Sequence, residues 1–180
     1  MRLKQKMMSN KKKVIWFTGL PGSGKTTLAI ALRHYILKKK LRCVFLDGDD
    51  LRAGLCSDLK FSQKDRMENI RRIAEIAAIM LKQNDYVIVA TISPNNSIRN
   101  LAKKIIGSNF FALVYLSTSL STCISRDVKG HYKQALKGKI KNFTGIGSVF
   151  EAPKNFKLKI DTSALTIHDS VIEIAKLIEA

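Results

Sequence analysis

VIWFTGLPGSGKTT, residues 14–27, joins a short apolar run to a glycine-rich turn and then to a lysine followed by two threonines. From Gly19 to Thr26 the spacing is G-x-x-x-x-G-K-[ST], which predicts a strand over Val14–Thr18, a loop, and a helix opening near Lys25. Glycines at such a turn let backbone N–H groups point inward around phosphates at a helix N-terminus. Lys25 is then placed to reach β- and γ-phosphates, and the Thr26 hydroxyl to ligate Mg²⁺. A glycine turn of no chemical consequence is the competing reading, and the strand before and helix after weigh against it.

Outward from this loop, Cys43–Leu46, Tyr86–Ala90, Ala112–Leu116 and Leu158–Ile160 repeat the short apolar run, with segments of helical period between them. The clearest helix is about Asp65 to Lys82, where Ile70, Ile73, Ala74, Ala77, Met80 and Leu81 recur at helical spacing. Strands apolar on both faces and separated by helices imply a parallel sheet covered on both sides. The expected class is α/β, a P-loop NTPase-type parallel sheet flanked by helices. A basic N-terminal tail, 1–12, would precede a single kinase-like domain over 13–180. A chain of 180 residues suits one such domain.

The composition is that of a soluble globular protein, with 46% hydrophobic and 26% charged residues. No apolar run approaches the roughly 20 residues needed to cross a bilayer. The basic N-terminus lacks the apolar core of a signal peptide, so a cytoplasmic protein is expected. Cys43, Cys56 and Cys123 form no C-x-x-C pair and read as buried or incidental thiols. The net charge is +18, and residues 1–46 hold twelve basic residues with no acidic one. Such a field attracts polyanions, so nucleic acid stands beside a nucleotide as a conceivable partner. The chain shows no zinc-finger, RRM or basic-zipper pattern, and no specific nucleic acid is expected.

Residues 128–150 add five lysines and no acid. The surrounding segment, Arg126 to Val149, is polar and glycine-rich, and reads as a mobile excursion. Lys129, Lys133, Lys137 and Lys141 recur every four residues, so a helix through them would stack like charges until an anion arrived. A lid closing over phosphates and a merely solvated surface both fit this composition.

Three further clusters fall where strands end. Asp47-Gly48-Asp49-Asp50 and Arg52 follow the second strand, on the edge where open α/β sheets bind ligands. A carboxylate there could take a proton from a hydroxyl or order Mg²⁺, or could simply cap a helix. Arg66 and Asn69, at i and i+3, could reach one ligand together. Ile92-Ser93-Pro94 follows the third strand. Phe61 and Phe143 lie in polar surroundings where an aromatic can stack on a base or plug a core.

Taken in order, VIWFTGLPGSGKTT, LDGDDLRAGL with DLKFS, DRMENIRRIAEIA, ISP, RDVKGHYKQA, NFTGI and EAP resemble the adenylyl-sulfate kinase (APS kinase) family from about Val14 to Thr162. The resemblance implies transfer of the γ-phosphoryl of ATP to the ribose 3′-hydroxyl of adenosine 5′-phosphosulfate (APS), with ATP and Mg²⁺ as cofactors and a homodimer as assembly. Residue by residue it implies ATP-phosphate binding by Gly19, Leu20, Pro21, Gly22, Ser23, Gly24, Lys25, Thr26 and Thr27, with Arg126 beside them. Asp49 would act as base or orienter of the hydroxyl, assisted by Asp47, which with Thr26 is a candidate for the magnesium shell. Arg52, Arg66, Asn69, Ile92, Ser93 and Lys129 would hold the sulfonucleotide, Phe61 and Phe143 would sandwich its adenine, and Thr144, Gly145 and Ile146 would complete the site. The segment about 126–149 matches the family's lid, and Lys129 joins Lys25 in stabilising the transferred group. Ser93 occupies the family's phosphoserine position, although in-line transfer requires no covalent stop.

Asn95-Asn96-Ser97-Ile98 stands before Arg99 where the family usually has tyrosine and then basic residues, and Val128 and His131 also depart from its pattern. The altered rim bears on substrate identity. A kinase of the same mechanism acting on another nucleotide 5′-derivative, such as a cytidine nucleotide in surface-polysaccharide synthesis, is the alternative. A noncatalytic P-loop module held on nucleic acid is a third.

Overall fold

The computed structural model describes residues 12–179. Residues 1–11 of the expected basic tail lie outside that range. Five strands, β1 (Lys13–Gly19), β2 (Cys43–Asp47), β3 (Tyr86–Ala90), β4 (Phe111–Leu116) and β5 (Leu158–Ile160), form one sheet in the order β2-β3-β1-β4-β5. Every pairing is parallel. The crossovers carry α1 (Lys25–Lys38), α2 (Gly48–Ala53), α3 (Gln63–Leu81), α4 (Asn96–Ile106), α5 (Leu120–Arg126) and α6 (His131–Leu136), and α7 (Ile167–Glu179) follows β5. All five expected strands are present within a residue or two, and α3 begins and ends close to the expected helix.

Alternation along β1 explains why the sheet is covered on both faces. Ile15 and Phe17 pack with Leu28, Leu32 and Ile36 of α1 and Val171, Ile174 and Ile178 of α7. Val14 and Trp16 face the other way, against Ile70, Ile73 and Ala77 of α3 and Ile98 and Ala102 of α4. The central strand is therefore fixed from both sides, and the loop leaving its carboxyl end inherits that rigidity.

Two features of that loop require glycine. A Cβ on Gly19 would meet the Leu116 carbonyl oxygen at 2.7 Å and Ser23 Oγ at 2.8 Å. Gly24, the N-cap of α1, has φ of 90°, in the left-handed region. No side chain caps the first turn of α1 and no acidic residue sits in it, which leaves its N–H groups and the positive end of its dipole for an anion.

The lysine repeat in the lid does not lie on one helix. Only Lys133 is inside α6. Lys129 precedes the helix, Lys137 is its C-cap, and Gly138 follows at φ of 71°. The expected stack of like charges is thereby avoided. The segment is also more ordered than its composition suggests: Asp127 accepts hydrogen bonds from the backbone N–H groups of Tyr132 and Lys133, and the Tyr132 hydroxyl donates to the Pro21 carbonyl.

Candidate active site

Lys25 Nζ folds back over the glycine loop, donating to the carbonyls of Gly19 (3.0 Å) and Leu20 (2.7 Å). Desolvation pushes its pKa down to about 8, against the opposing pull of Asp49 and Asp47. A cation held this way is poised to exchange carbonyl partners for phosphate oxygens. Thr26 Oγ1 donates to Asp47 Oδ2 at 2.8 Å, and Asp47 Oδ1 accepts the N–H of Asp49 as N-cap of α2. The acidic turn thus caps a helix and faces the P-loop at once. A hydroxyl and a carboxylate side by side form the oxygen-only donor pair that Mg²⁺ takes alongside phosphate and water. Among the described residues no group of three or more His, Cys, Asp or Glu side chains is placed to hold a metal ion.

Asp49, two residues further, accepts from Lys129 Nζ. This bond and the pair's attraction raise the pKa of Lys129. Lys129, just before α6, therefore reaches the acidic turn after β2. One cavity of about 470 Å³ collects Lys25, Asp47, Asp49, Arg52, Phe61, Arg66, Asn69, Ile92, Ser93, Lys129, Phe143 and Thr144 on its walls, within the size range of nucleotide-scale sites. Residues from six separate stretches of chain meet there.

Arg66 and Asn69 lie on one cavity wall, and Arg66 is engaged within the protein. Its Nε donates to the Phe61 carbonyl (3.0 Å), its Nη1 to Thr144 Oγ1 (3.1 Å) and its Nη2 to the Asn142 carbonyl (2.8 Å). It ties the two aromatic loops to the start of α3. Phe61 is 57% exposed and lies under the guanidinium groups of Arg52 (4.7 Å) and Arg66 (5.7 Å), while Phe143 meets Tyr132 edge-on at 5.0 Å. Asn69 is only 4% exposed and its Oδ1 has no hydrogen-bond partner. An unpaired buried amide oxygen on a cavity wall is costly unless a donor arrives.

Ser93 is 1% exposed, with φ of 44°, and its Oγ accepts from Trp16 Nε1 at 3.0 Å. The rim that departs from the family pattern is turned to local work. Asn95 caps α4, and Asn96 binds the Glu151 carboxylate through its backbone N–H and Nδ2. Arg99 is buried and donates to the carbonyls of Ser93 and Glu151.

Gly145 and Ile146 do not line the acceptor cavity. With Leu20 they line a second one of about 600 Å³ beside Tyr115, Leu120 and Phe150. Gly19, Ser23, Gly24, Thr26 and Thr27 lie along the loop and the first turn of α1 rather than on the cavity wall. Arg126 donates to Thr162 Oγ1 (2.7 Å) and to its carbonyl (2.9 Å), and Thr162 Oγ1 also reaches the Ser23 carbonyl. Thr162 was missed by sequence reasoning, although it follows β5 on the edge where ligands bind. Thr91, on the wall of the first cavity, was missed too, because a residue just after an apolar strand reads as core.

Comparison with known proteins gives one consistent result. The family model described as adenylylsulphate kinase matches residues 11–161. The adenylyl-sulfate kinase of Bacteroides fragilis (strain YCH46) is 46% identical over 175 residues, 97% of this chain and 87% of that protein. The enzyme of the same name from Pseudomonas aeruginosa is 52% identical over 149 residues, 83% of this chain and 76% of that protein. Among solved structures, the APS kinase CysC of Mycobacterium tuberculosis in complex with AMPPNP and APS superposes with a TM-score of 0.90 at 38% identity, covering 94% of this chain and 99% of that one. The chain belongs to the adenylylsulphate kinase family.

Proposed function

We propose that this protein transfers the γ-phosphoryl group of ATP to the ribose 3′-hydroxyl of adenosine 5′-phosphosulfate. The observation that carries the reading is the single cavity in which Lys25 and the two aspartates of the donor side share walls with Phe61, Asn69 and Phe143 of the acceptor side. The family relationship and the likeness to a kinase complexed with AMPPNP and APS support it.

In this mechanism the free N–H groups of the P-loop and the first turn of α1 receive the ATP phosphates, and Lys25 leaves the Gly19 and Leu20 carbonyls to bridge the β- and γ-oxygens. Thr26 and Asp47 would hold Mg²⁺, which supplies charge neutralisation on those oxygens when bound. Asp49 accepts the proton of the 3′-hydroxyl as the new O–P bond forms and the bond to the β-phosphate oxygen breaks. Lys129, released from Asp49, follows the charge onto the transferred group. The whole region 13–180 acts as one P-loop kinase domain in which about 126–149 serves as lid. Arg52, Arg66 and Asn69 shape the sulfonucleotide subsite, and Phe61 and Phe143 flank its base. A homodimer and a cytoplasmic location follow from the family resemblance. Among the described residues no helix is long and apolar enough to cross a membrane.

The side chains that made the rim depart from the family pattern are engaged in capping α4 and binding Glu151, so they give no reason to prefer a different nucleotide. A coupled ADP-release assay with Mg²⁺-ATP tests the reading, comparing adenosine 5′-phosphosulfate with other adenine and cytosine nucleotide 5′-derivatives. Strong preference for the sulfonucleotide is expected. Turnover of a cytidine nucleotide in its place would overturn the acceptor assignment and leave the phosphoryl-transfer mechanism standing.

A further inference from the structure

Because every strand pairing is parallel, the strand starts and the helix ends before them lie along one edge of the sheet, opposite the edge that carries the P-loop. Positive charge is gathered there. In residues 12–13, 38–42, 82–85 and 103–110, which lead into β1 to β4, nine residues are basic and one, Asp85, is acidic. That carboxylate pairs with Arg42 at 3.3 Å. Backbone bonds hold the segments side by side: the Lys13 N–H donates to the Asp85 carbonyl, the Asp85 N–H to the Arg42 carbonyl and the Val14 N–H to the Phe110 carbonyl. The ammonium groups of Lys12 and Lys13 reach sideways to the carbonyls of Lys82 (2.8 Å) and Asn109 (2.9 Å). Neighbouring strands are about 4.8 Å apart, so the cations form a close-set band across the molecule. The opposite edge mixes its lysines with Asp47, Asp49, Asp50 and Asp161.

Cations at helix carboxyl ends offset the helix dipole. That accounts for Lys38, Lys103 and Lys104, but not for Lys12, Lys13 and Arg42, which stand at strand starts. Apolar side chains separate the band further from an ordinary solvated surface. Leu37 (40% exposed), Ile79 (57%), Met80 (39%) and Phe110 (45%) stand at the same helix ends and strand starts. Apolar groups set among lysines match a lipid surface, where headgroups meet the charge and the acyl boundary takes the apolar groups. A single-stranded nucleic acid is gripped instead by aromatic platforms between cations, and three of these four side chains are aliphatic. Residues 1–11, which join the band at Lys12, add Arg2, Lys4, Lys6 and Lys11 and no acid.

We propose that this edge docks the protein reversibly on an anionic phospholipid surface, with the cations against the headgroups and Leu37, Ile79, Met80 and Phe110 dipping between them. The seven residues of β1 span about 20 Å. The P-loop edge therefore lies beyond a Debye length of about 10 Å from the docked edge, and the cavity beside it stays open to nucleotides.

Co-sedimentation of the full chain with vesicles tests this. Phosphatidylcholine vesicles with about a third phosphatidylglycerol should bind the protein about tenfold or more tightly than phosphatidylcholine alone, and the affinity should fall as salt rises. Lys103→Gln with Lys104→Gln removes two charges from the band and should weaken binding about thirtyfold. Lys60→Gln with Lys64→Gln removes two charges near the start of α3, at the other edge, and should change binding less than about twofold. Phe110→Ser leaves the charge as it is and should weaken binding about fivefold. Thermal melting of each variant shows that it is folded.

Failure to bind the anionic vesicles would overturn the proposal. So would equal weakening by the two lysine pairs, because binding would then follow net charge rather than the band. Tighter binding of mixed-sequence single-stranded RNA than of vesicles, with vesicle binding unmoved by Phe110→Ser, would put a nucleic acid in place of the lipid surface and overturn it as well. Phosphoryl transfer takes no part in these measurements, so a wrong acceptor and a wrong docking surface give separate results.

Discussion

The glycine loop from Gly19 to Thr26 is continuous in the chain, whereas the cavity beside it is walled by segments as distant in sequence as Lys25 and Thr144. Gly19 to Thr26 acts largely through backbone N–H groups and one lysine, on a loop fixed by a strand packed on both faces. The cavity walls present side chains instead, and several of those are held by hydrogen bonds within the protein: Arg66 to the Phe61 carbonyl, Arg99 to the Ser93 carbonyl and Lys129 to the Asp49 carboxylate. A backbone cradle accepts many substitutions around it, provided its glycines and lysine remain. An interlocked set of side chains transmits a change at one member to the others, so specificity is expected to break there first.

The largest effect sharpens the donor side. Lys25→Ala removes the cation that moves from the loop carbonyls to the phosphates, and kcat should fall about a thousandfold, in the range of losing a preorganised charge-stabilising donor. Steady-state ADP release measures it. Near-normal turnover would mean that the loop binds phosphate without acting on it.

Arg66→Ala should act on the acceptor side alone. It removes three hydrogen bonds that join Phe61, Asn142 and Thr144, and charged hydrogen bonds of this kind are each worth about 1.5–3 kcal/mol. Solvent and loop relaxation recover part of that loss, so a rise of about thirtyfold in acceptor KM is expected, with ATP KM little changed. If ATP KM rose equally, the division into donor and acceptor halves would be wrong.

A third test uses pH. The Lys25 pKa is lowered to about 8 in the free enzyme by desolvation, so the loop lysine begins to lose its charge as pH rises through that value. Binding an anionic phosphate favours the protonated form and moves the pKa back up. kcat/KM for ATP, which reports the free enzyme, should therefore decline above about pH 8, reaching about tenfold one unit higher, while kcat holds to higher pH. A kcat/KM flat to pH 10 would show that Lys25 stays charged in the loop.

The same contrast explains what could be read from the residues. The five strands and α3 were legible because apolar periodicity is a local property that tertiary packing reinforced. The P-loop was legible because its glycines and lysine stand at fixed spacing between a strand and a helix, and the structure gives the reason for glycine at Gly19 and Gly24. The lysine period of the lid misled because Gly138 ends α6 after a turn and a half, and a period of four means nothing once the helix stops. The bonds of Arg66 to Asn142 and Thr144 and of Arg99 to Glu151 had no local signature, because their acceptors lie 52 to 78 residues along the chain. Asn69 gave the opposite outcome, since its unpaired buried oxygen is a stronger pointer to a ligand than its place in the sequence.

The smallest effect probes a single joint between α3 and the lid. Thr144 is 2% exposed, and its Oγ1 receives the Arg66 Nη1 hydrogen bond beside Phe143. Thr144→Val keeps the branched shape and removes the acceptor, so Arg66 retains two of its three protein partners and Phe143 keeps its edge-on contact with Tyr132. A single hydrogen bond within such a set is worth about 0.5–1.5 kcal/mol net, which sets the expected rise in acceptor KM at about three- to tenfold. In the Arg66→Ala background the same substitution should cost little, because its partner is absent. Full additivity of the two would mean that Thr144 acts on the acceptor directly and that the arginine is no joint between α3 and the lid.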